Sequence, residues 1–215
     1  MGKKRGWATW FTSDIHIGHE NILDFCDRPY ENIEDMKNDI RKKWNEKVAP
    51  EDQVIVVGDV FFYHTKEEAK KYMDSLNGTK ILVRGNHDRK TRDMYAMGFS
   101  FVCEEMTMAI ANERVSVSHF PFRASIWTHW FYNLRHKLFT FLGIKGKSWK
   151  LDKRYYERRP KNHGQFLIHG HTHSEEKVRD RMLHVGWDAW KSPVSVGEIG
   201  NLITKIRGDQ NKKGK

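Results

Sequence analysis

Residues 53–59 read QVIVVGD, a short and almost wholly apolar run that stops abruptly at a Gly-Asp pair. Consecutive β-branched residues of this kind are typical of a central strand that is covered on both faces. The neighbouring segments favour the same interpretation. An aromatic and β-branched stretch at 7–12 and a second apolar run at 80–84 each predict a strand that is followed directly by polar residues.

Helical patterns separate these three predicted strands. Apolar residues recur every three or four positions over residues 33–48. Thr65, followed by two acidic residues, begins a second helix that we expect to end near Leu76. The order of strand, helix, strand, helix, strand predicts an open α/β sheet, and binding residues in such sheets collect at the carboxyl ends of the strands.

The second half of the chain is richer in β-structure. Apolar and alternating runs predict strands at residues 101–103, 106–111, 114–118, 166–169 and 182–185. Ser195 and Glu198 have the spacing of a capping box, which predicts a last helix toward Ile206. Residues 207–215 are polar and basic, and we predict a disordered tail there.

Five short motifs follow predicted strands: Asp14-Ile15-His16, Gly58-Asp59, Gly85-Asn86-His87-Asp88, Ser118-His119 and Gly170-His171-Thr172-His173. Each motif taken singly could be an ordinary cap, turn or strand end. Together they supply carboxylate, amide and imidazole groups, which are ligands for divalent cations. Two cations about 3.5–4 Å apart can activate water and stabilise the attacking and leaving oxygens of a phosphoester. Such a centre needs a bridging carboxylate and several neutral imidazoles, and the motifs contain both.

In this order, the motifs resemble those of the calcineurin-like metallophosphoesterases, and of the small bacterial and phage branch of that family in particular. The resemblance covers residues 7–121 and 164–206. It implies an α/β (α+β) fold, a four-layer αββα sandwich of two mixed β-sheets flanked by helices, with the metal site at the strand ends. We therefore predict a single domain over residues 1–206.

The metal-ligand set implied by the resemblance is divided between two cations. For the first cation it is Asp14, His16 and His173, for the second it is Asn86, His119 and His171, and Asp59 bridges the two. A set of oxygen and imidazole ligands without thiolate is compatible with Mn²⁺, Fe, Zn²⁺ and Ni²⁺, and we expect two ions of Mn²⁺.

Other residues of the motifs are implied to act on the substrate. By the same resemblance, His87 is not a ligand but faces the scissile phosphate, where it could protonate the leaving group. Asp88 could orient that imidazole and raise its pKa. His19 and Asn21 follow the first motif closely enough to line the pocket, and Arg28 could place its guanidinium against a substrate phosphate.

Residues 122–163 depart from the family pattern. Residues 123–163 contain eleven Lys or Arg and two acids, so this segment carries +9 of the net charge of +10 of the chain. Its aromatic residues fall at helical spacing, which predicts a helical insertion. The insertion could be a small core with cations facing water, or a surface that contacts a membrane or a lipid tail. It could also be a lid or groove wall that neutralises phosphates and stacks on bases.

The predicted function is hydrolysis of a phosphodiester or phosphomonoester, in a nucleotide or nucleic acid, by hydroxide generated at the two metal ions. One alternative is a nucleotide-lipid pyrophosphate hydrolase with a helical lid. Another is a nucleic-acid-binding protein with a degenerate metal site. Cys26 and Cys103 have no metal-site or disulfide spacing, and no run approaches the roughly 20 apolar residues of a membrane span. We expect a cytoplasmic protein.

Overall fold

The computed structural model describes residues 6–62, 65–123 and 153–213. The strands in these ranges are β1 Thr9–Thr12, β2 Gln53–Val56, β3 Thr79–Val83, β4 Phe101–Cys103, β5 Glu105–Ile110, β6 Glu113–Ser118, β7 Phe166–His169, β8 Val178–Arg179, β9 Met182–His184 and β10 Val194–Ser195. The helices are α1 Ile22–Phe25, α2 Ile33–Lys47, α3 Lys66–Asp74, α4 Thr91–Ala96, a 3₁₀ helix Lys153–Arg158, α5 Trp187–Trp190 and α6 Val196–Lys213. Every predicted strand is present to within two residues, whereas the two-residue strands β8 and β10 were not predicted.

The first sheet has the order β10-β1-β2-β3-β4. Strands β1 to β4 are parallel, and Phe11 of β1 pairs with Ile55 of β2, which pairs in turn with Ile81 of β3. Strand β10 adds an antiparallel edge beside β1. Because β1, β2 and β3 run in the same direction, the polar residues that follow them reach the same edge of the sheet.

The second sheet has the order β5-β6-β7-β9-β8. Strands β6, β7 and β9 are parallel, while β5 and β8 are antiparallel to their neighbours. Both sheets are therefore mixed. The predicted α/β fold with two mixed sheets and helices is confirmed.

Two apolar cores lie on the two faces of the first sheet. Side chains of alternate strand positions, among them Phe11, Ile55 and Val83 of the first sheet, form one core with Val117 and Ile168 of the second sheet. The opposite face of the first sheet packs against α2, α3 and α4. Full burial of side chains of this size contributes roughly 1.5–3 kcal/mol each before the entropy cost of folding.

Helix α2 follows the predicted apolar spacing. Asn32 caps it by accepting hydrogen bonds from the backbone N–H groups of Glu34 and Asp35, and Met36, Ile40 and Trp44 are its buried stripe. Among the described helices, none combines the length and the apolar character needed to cross a membrane.

The C-terminal helix corrects one prediction. The capping box is present, since Ser195 and Glu198 exchange hydrogen bonds, but α6 continues to Lys213 through the segment predicted as a disordered tail. The residues of that segment are polar, yet most of them cost little in a helix, and a helix already begun extends more easily than it nucleates. The polar residues 207–210 are exposed to water on a helix and are not disordered.

Most of the predicted helical insertion, residues 124–152, lies outside the described residues. Its C-terminal end is described and forms the 3₁₀ helix Lys153–Arg158. The guanidinium of Arg123 lies over the ring of Tyr156, 4.4 Å from its centroid, and forms an ion pair with Glu157. Arg123, at the start of the insertion, therefore contacts the 3₁₀ helix near its end.

Candidate metal centre

The predicted ligands meet at the carboxyl ends of strands from both sheets. The residues after β1, β2 and β3 approach the residues that follow β6 and β7. Two groups of side chains each have ligand atoms within 4.8 Å of one another: Asp14, His16 and His173, and Asp59, His119 and His171. This grouping follows the predicted division between two cations, with Asp59 in the second group.

The first group surrounds His16. Asp14 is fully buried, His16 is 2% exposed, and neither ring nitrogen of His16 has a hydrogen-bond partner. A buried imidazole with two unpaired nitrogens is unfavourable unless something binds it. His173 turns its Nε2 toward the same point, 3.9 Å from Oδ1 of Asp14. A divalent cation bound by these side chains would satisfy one of the two unpaired nitrogens.

The second group is defined by His119. Its Nδ1 lies 2.8 Å from the carbonyl oxygen of Val57, so Nδ1 is the protonated donor and Nε2 points at the site. That Nε2 is 3.1 Å from Oδ1 of Asn86, 3.3 Å from Nδ1 of His171 and 3.4 Å from Oδ2 of Asp59. Acceptor atoms converge here, and convergent acceptors need a proton or a cation between them.

Asp59 lies between the two groups. Its Oδ2 is 3.9 Å from Nε2 of His16 and 3.4 Å from Nε2 of His119. Its Oδ1 accepts a hydrogen bond from the backbone N–H of His87 at 2.9 Å. One oxygen is therefore directed to both groups, while the other anchors the loop after β3.

The backbone at these positions is strained. Positive φ values between 49° and 70° occur at five of the seven predicted ligands: Asp14, His16, Asp59, His171 and His173. The left-handed conformation costs a non-glycine residue about 1–2 kcal/mol. Such strain persists only where the surrounding fold imposes it, and it commonly clusters at functional sites.

The charge of the site shifts the pKa values of its groups. Burial alone would lower the pKa of His119, but the hydrogen bond and charge of Asp59 raise it to about 9. Burial opposes ionisation of Asp59 too, yet contact with His119 holds the pKa of that carboxyl well below its usual range. Burial, reinforced by the charge of His119, lowers the pKa of His171 to about 3. Asp59 thus favours a positive charge on His119 while His171 stays neutral, and a divalent cation would compete with the proton of His119 for the same nitrogen.

His87 is exposed at the mouth of the site. Its ring lies 5.8 Å from that of His16 and 5.0 Å from that of Phe62. Asp88 does not have the predicted orientation toward His87. Its carboxylate instead accepts hydrogen bonds from the backbone N–H groups of Asp59, Val60 and Gly85 at 2.7–3.0 Å. Asp88 thus ties the loops after β2 and β3 together, because the turn that exposes His87 directs the next side chain inward.

Of the residues predicted to line the pocket, His19 lies beside the first group. Its ring is 5.5 Å from that of His16 and stacks on Phe62 at 4.0 Å. Asn21 is exposed at the start of α1, and its side chain makes no capping hydrogen bond there. Its contact with substrate stays a prediction. Phe62, which also faces His16 and His87, was missed by sequence reasoning because it reads as an ordinary strand-end aromatic.

The predicted contact of Arg28 with a substrate phosphate is wrong. Arg28 is 5% exposed, and it donates to both carboxylate oxygens of Asp188 and to the carbonyl oxygens of Asp14 and Ile15. Its remaining N–H is directed at the sulfur of Met36. All five guanidinium donors are therefore used inside the protein. Asp188 contacts His173 but was not among the predicted site residues. Its sequence signal was a carboxylate in the otherwise apolar segment 186–190, which resembles the corresponding segment of the small bacterial and phage branch.

The described C-terminal end of the insertion contacts the second group of ligands and the loop after β3. The ring of Tyr155 stacks on Phe120 at 5.3 Å and meets His171 edge-on at 5.9 Å. Arg158 is hydrogen-bonded to Glu104 and to the carbonyl oxygen of Gly85, directly before Asn86. Sequence reasoning placed the insertion near the site only by its connections and did not single out Tyr155.

The chain is similar to known proteins in both sequence and fold. Residues 8–192 match the family model described as calcineurin-like phosphoesterase. Gene 66 protein of Mycobacterium phage L5 is 31% identical over 212 residues, which cover 94% of this chain and 97% of that protein. Gene 66 protein of Mycobacterium phage D29 is 30% identical over 217 residues, covering 92% and 96%. Protein AQ665 of unknown function from Aquifex aeolicus has a similar fold, with a TM-score of 0.60, 20% identity and coverage of 92% and 100%.

Proposed function

The chain belongs to the calcineurin-like phosphoesterase family, and on that premise we propose that it hydrolyses phosphodiesters of nucleotides or nucleic acids with two divalent metal ions. The observation that carries the proposal is the position of Asp59 Oδ2 between His16 and His119, at 3.9 and 3.4 Å. Two cations bound at such a site polarise the phosphoryl group, lower the pKa of water and stabilise the leaving oxygen.

The proposed ligands would be divided between the two cations. Asp14, His16 and His173 would hold one cation, Asn86, His119 and His171 would hold the other, and Asp59 would be shared between them. Hydrogen bonds from the backbone N–H of His171 to both oxygens of Asp14, at 3.1 and 3.0 Å, keep that carboxylate oriented. The ligands on separate strands are thereby held in fixed relation before substrate arrives.

His87 is proposed as the proton donor to the leaving group. It is exposed, its ring lies beside His16, and its backbone N–H is tied to Asp59. An alkoxide released from a diester needs a proton, and a positioned imidazole typically contributes 10²–10⁴-fold to such a step. His19 and Phe62 form the wall beside His87.

The insertion supports a polyanionic substrate. Tyr155 places an aromatic face next to His171, and the segment that carries it holds nearly all of the net positive charge of the chain. Aromatic side chains that stack on bases, interleaved with cations that neutralise phosphates, are the usual means of binding single-stranded nucleic acid. The insertion is thus proposed as one wall of a substrate groove.

The test begins with turnover of bis-p-nitrophenyl phosphate by protein reloaded with Mn²⁺ after chelation. We expect Asp59→Asn to lose bound metal and activity together. His87→Ala should keep both ions and lose about 100-fold or more in rate on a diester with an alkoxide leaving group, and much less on the p-nitrophenyl diester, whose leaving group needs no proton. His163→Ala is the matched control, because His163 is exposed and lies before β7, at the end of that strand remote from the centre. Tight metal binding without turnover by any divalent ion would contradict the enzymatic function.

Substrate class is tested separately with nucleotides, cyclic nucleotides and single-stranded oligonucleotides. Deletion of residues 125–160 should spare the chromogenic diester and impair the oligonucleotide. Binding through phosphates must also weaken as salt is raised. Equal loss on both substrates would mean that the insertion is structural, and a preference for mononucleotides would remove nucleic acid from the proposal.

A further inference from the structure

We infer that the buried pair Arg28 and Asp188 positions His173 and sets the affinity of one metal ion, the one held with Asp14 and His16. The inference rests on the proposed two-metal site and concerns how that site is built. Arg28 and Asp188 are 160 residues apart in sequence and are 5% and 4% exposed. They would touch neither substrate nor cation, so they are positioning residues.

Asp188 determines which nitrogen of His173 faces the centre. Its Oδ2 lies 2.8 Å from Nδ1 of His173, so Nδ1 carries the proton and donates a hydrogen bond to the carboxylate. The lone pair of the ring is then on Nε2, which points toward Asp14. A carboxylate that fixes the tautomer and plane of an imidazole also makes it a more basic ligand.

Arg28 fixes Asp188 and connects it to the opposite ligand loop. Its Nε and Nη2 donate to the two carboxylate oxygens of Asp188 at 2.8 and 3.1 Å, a bidentate arrangement. The same guanidinium donates to the carbonyl oxygens of Asp14, at 2.6 Å, and Ile15, at 2.9 Å. One rigid planar group therefore spans from the backbone of a ligand after β1 to the carboxylate that orients a ligand after β7.

The pair also keeps Asp188 from acting as a ligand itself. Cys26 Sγ lies 3.3 Å from Nδ1 of His173, and Cys26, His173 and Asp188 form a third set of ligand atoms within 4.8 Å. A cation bound there would contact Nδ1 of His173, whereas the ligand atom of the predicted site is Nε2. Because both oxygens of Asp188 are engaged by Arg28 and one also by His173, the carboxylate is held as an acceptor of hydrogen bonds rather than as a metal ligand.

The hydrogen bonds of the pair to ligand residues reach Asp14 and His173, both in one of the two groups, and His171 of the other group is linked to the pair only through Asp14. His119, in the other group, is oriented by the carbonyl oxygen of Val57 and has no contact with this pair among its hydrogen bonds to described residues. Loss of an orienting partner typically costs 10–100-fold in metal affinity. Removing either member of the pair should therefore weaken one ion selectively instead of both.

The experiment is a Mn²⁺ titration of metal-stripped protein by calorimetry, with electron paramagnetic resonance to separate single ions from coupled pairs. Asp188→Asn and Arg28→Lys should each weaken one of the two ions 10–100-fold and leave the other within about 3-fold. The double variant should be no worse than the more affected single variant, since the two residues act as a unit. Asp52→Asn is the control, a buried carboxylate at the start of β2 that accepts hydrogen bonds from Ala8, Trp10 and Ala49.

A second measurement does not depend on metal affinity. In protein saturated with diamagnetic Zn²⁺, nitrogen-15 spectra of His173 should report a protonated Nδ1 in the wild type and a mixture of ring states in Asp188→Asn. Equal weakening of both ions, or unchanged binding with an unchanged tautomer in well-folded variants, would overturn the inference. Failure of the wild type itself to bind two ions would overturn the two-metal site, which distinguishes the two outcomes.

Discussion

Replacement of Gly85 by alanine is the sharpest test of how closely the ligand loops approach one another. A Cβ added at Gly85 would lie 2.6 Å from the backbone nitrogen of Asp59 and 2.9 Å from its Cγ, and it would overlap Oδ1. Comfortable contacts of a carbon atom are about 3.5–4.0 Å, so the loops after β2 and β3 would have to separate by about 1 Å.

That displacement acts on the carboxylate proposed to bridge the cations. Overpacking of this kind costs typically about 1–3 kcal/mol of stability, and a displacement of about 1 Å at a reacting centre can cost roughly 100-fold in rate. We expect Gly85→Ala to lower the melting temperature in chelator, to abolish most of the stabilisation by Mn²⁺, and to reduce diester turnover about 100-fold.

The matched control is Gly200→Ala in α6, where the nearest atom to the added Cβ is Cγ2 of Ile110 at an ordinary 3.6 Å. Alanine is favoured over glycine inside a helix by about 1 kcal/mol, so this variant should be at least as stable as the wild type. Thermal denaturation with and without Mn²⁺ measures both variants. If Gly85→Ala bound Mn²⁺ and turned over diester at wild-type levels, the tight packing of Asp59 against this loop would be refuted.

Three further predictions address other parts of the molecule. Asp88→Asn should lose about 1–3 kcal/mol by denaturant titration, because an amide cannot accept all three backbone hydrogen bonds; an unchanged midpoint would contradict the anchoring role. Burial and the hydrogen bond to Asp39 raise the pKa of Tyr30 to about 12, so its contribution to stability is present below the unfolded pKa of about 10 and is lost as the pH rises through 12. Tyr30→Phe should therefore flatten the loss of stability over that range, and an unaltered pH profile would count against this. Tyr155→Ala should raise KM for a single-stranded oligonucleotide about 10-fold, consistent with about 1–3 kcal/mol per stacked base, and raise it less for the chromogenic diester; equal effects would exclude stacking.

The strands and the ligand chemistry could be predicted because both depend on local pattern. The run over residues 53–59 indicates a buried strand by composition alone, and parallel strands bring the residues that follow them to one edge. Asp14 and Asp59 could thus be placed near one another before any tertiary contact was known, whereas His171, which follows a strand of the second sheet, was placed with them only by the resemblance to the family. The C-terminal tail was mispredicted because a polar composition is compatible with both an exposed helix and a disordered segment.

The roles of the charged residues around the centre could not be predicted in this way. Asp88 follows His87 in sequence, and adjacency suggested an orienting partner, but its acceptors are taken by amides 28 and 29 residues away. Arg28 lies in a turn close to the first motif, and proximity suggested the substrate. Its partner Asp188 comes from the other end of the domain.

The amino-acid sequence by itself determined the kinds of ligand, the order in which they appear and the strands that carry them, because these depend on residue type and spacing. Only the tertiary structure decided which polar groups face the centre and which support it from behind. The physical reason is that a buried donor or acceptor must find a partner, and the nearest partner in space is set by how distant strands and helices pack. For this reason Arg28 points inward to Asp188, Asp88 accepts hydrogen bonds from backbone N–H groups, and Asp188 is hydrogen-bonded to His173.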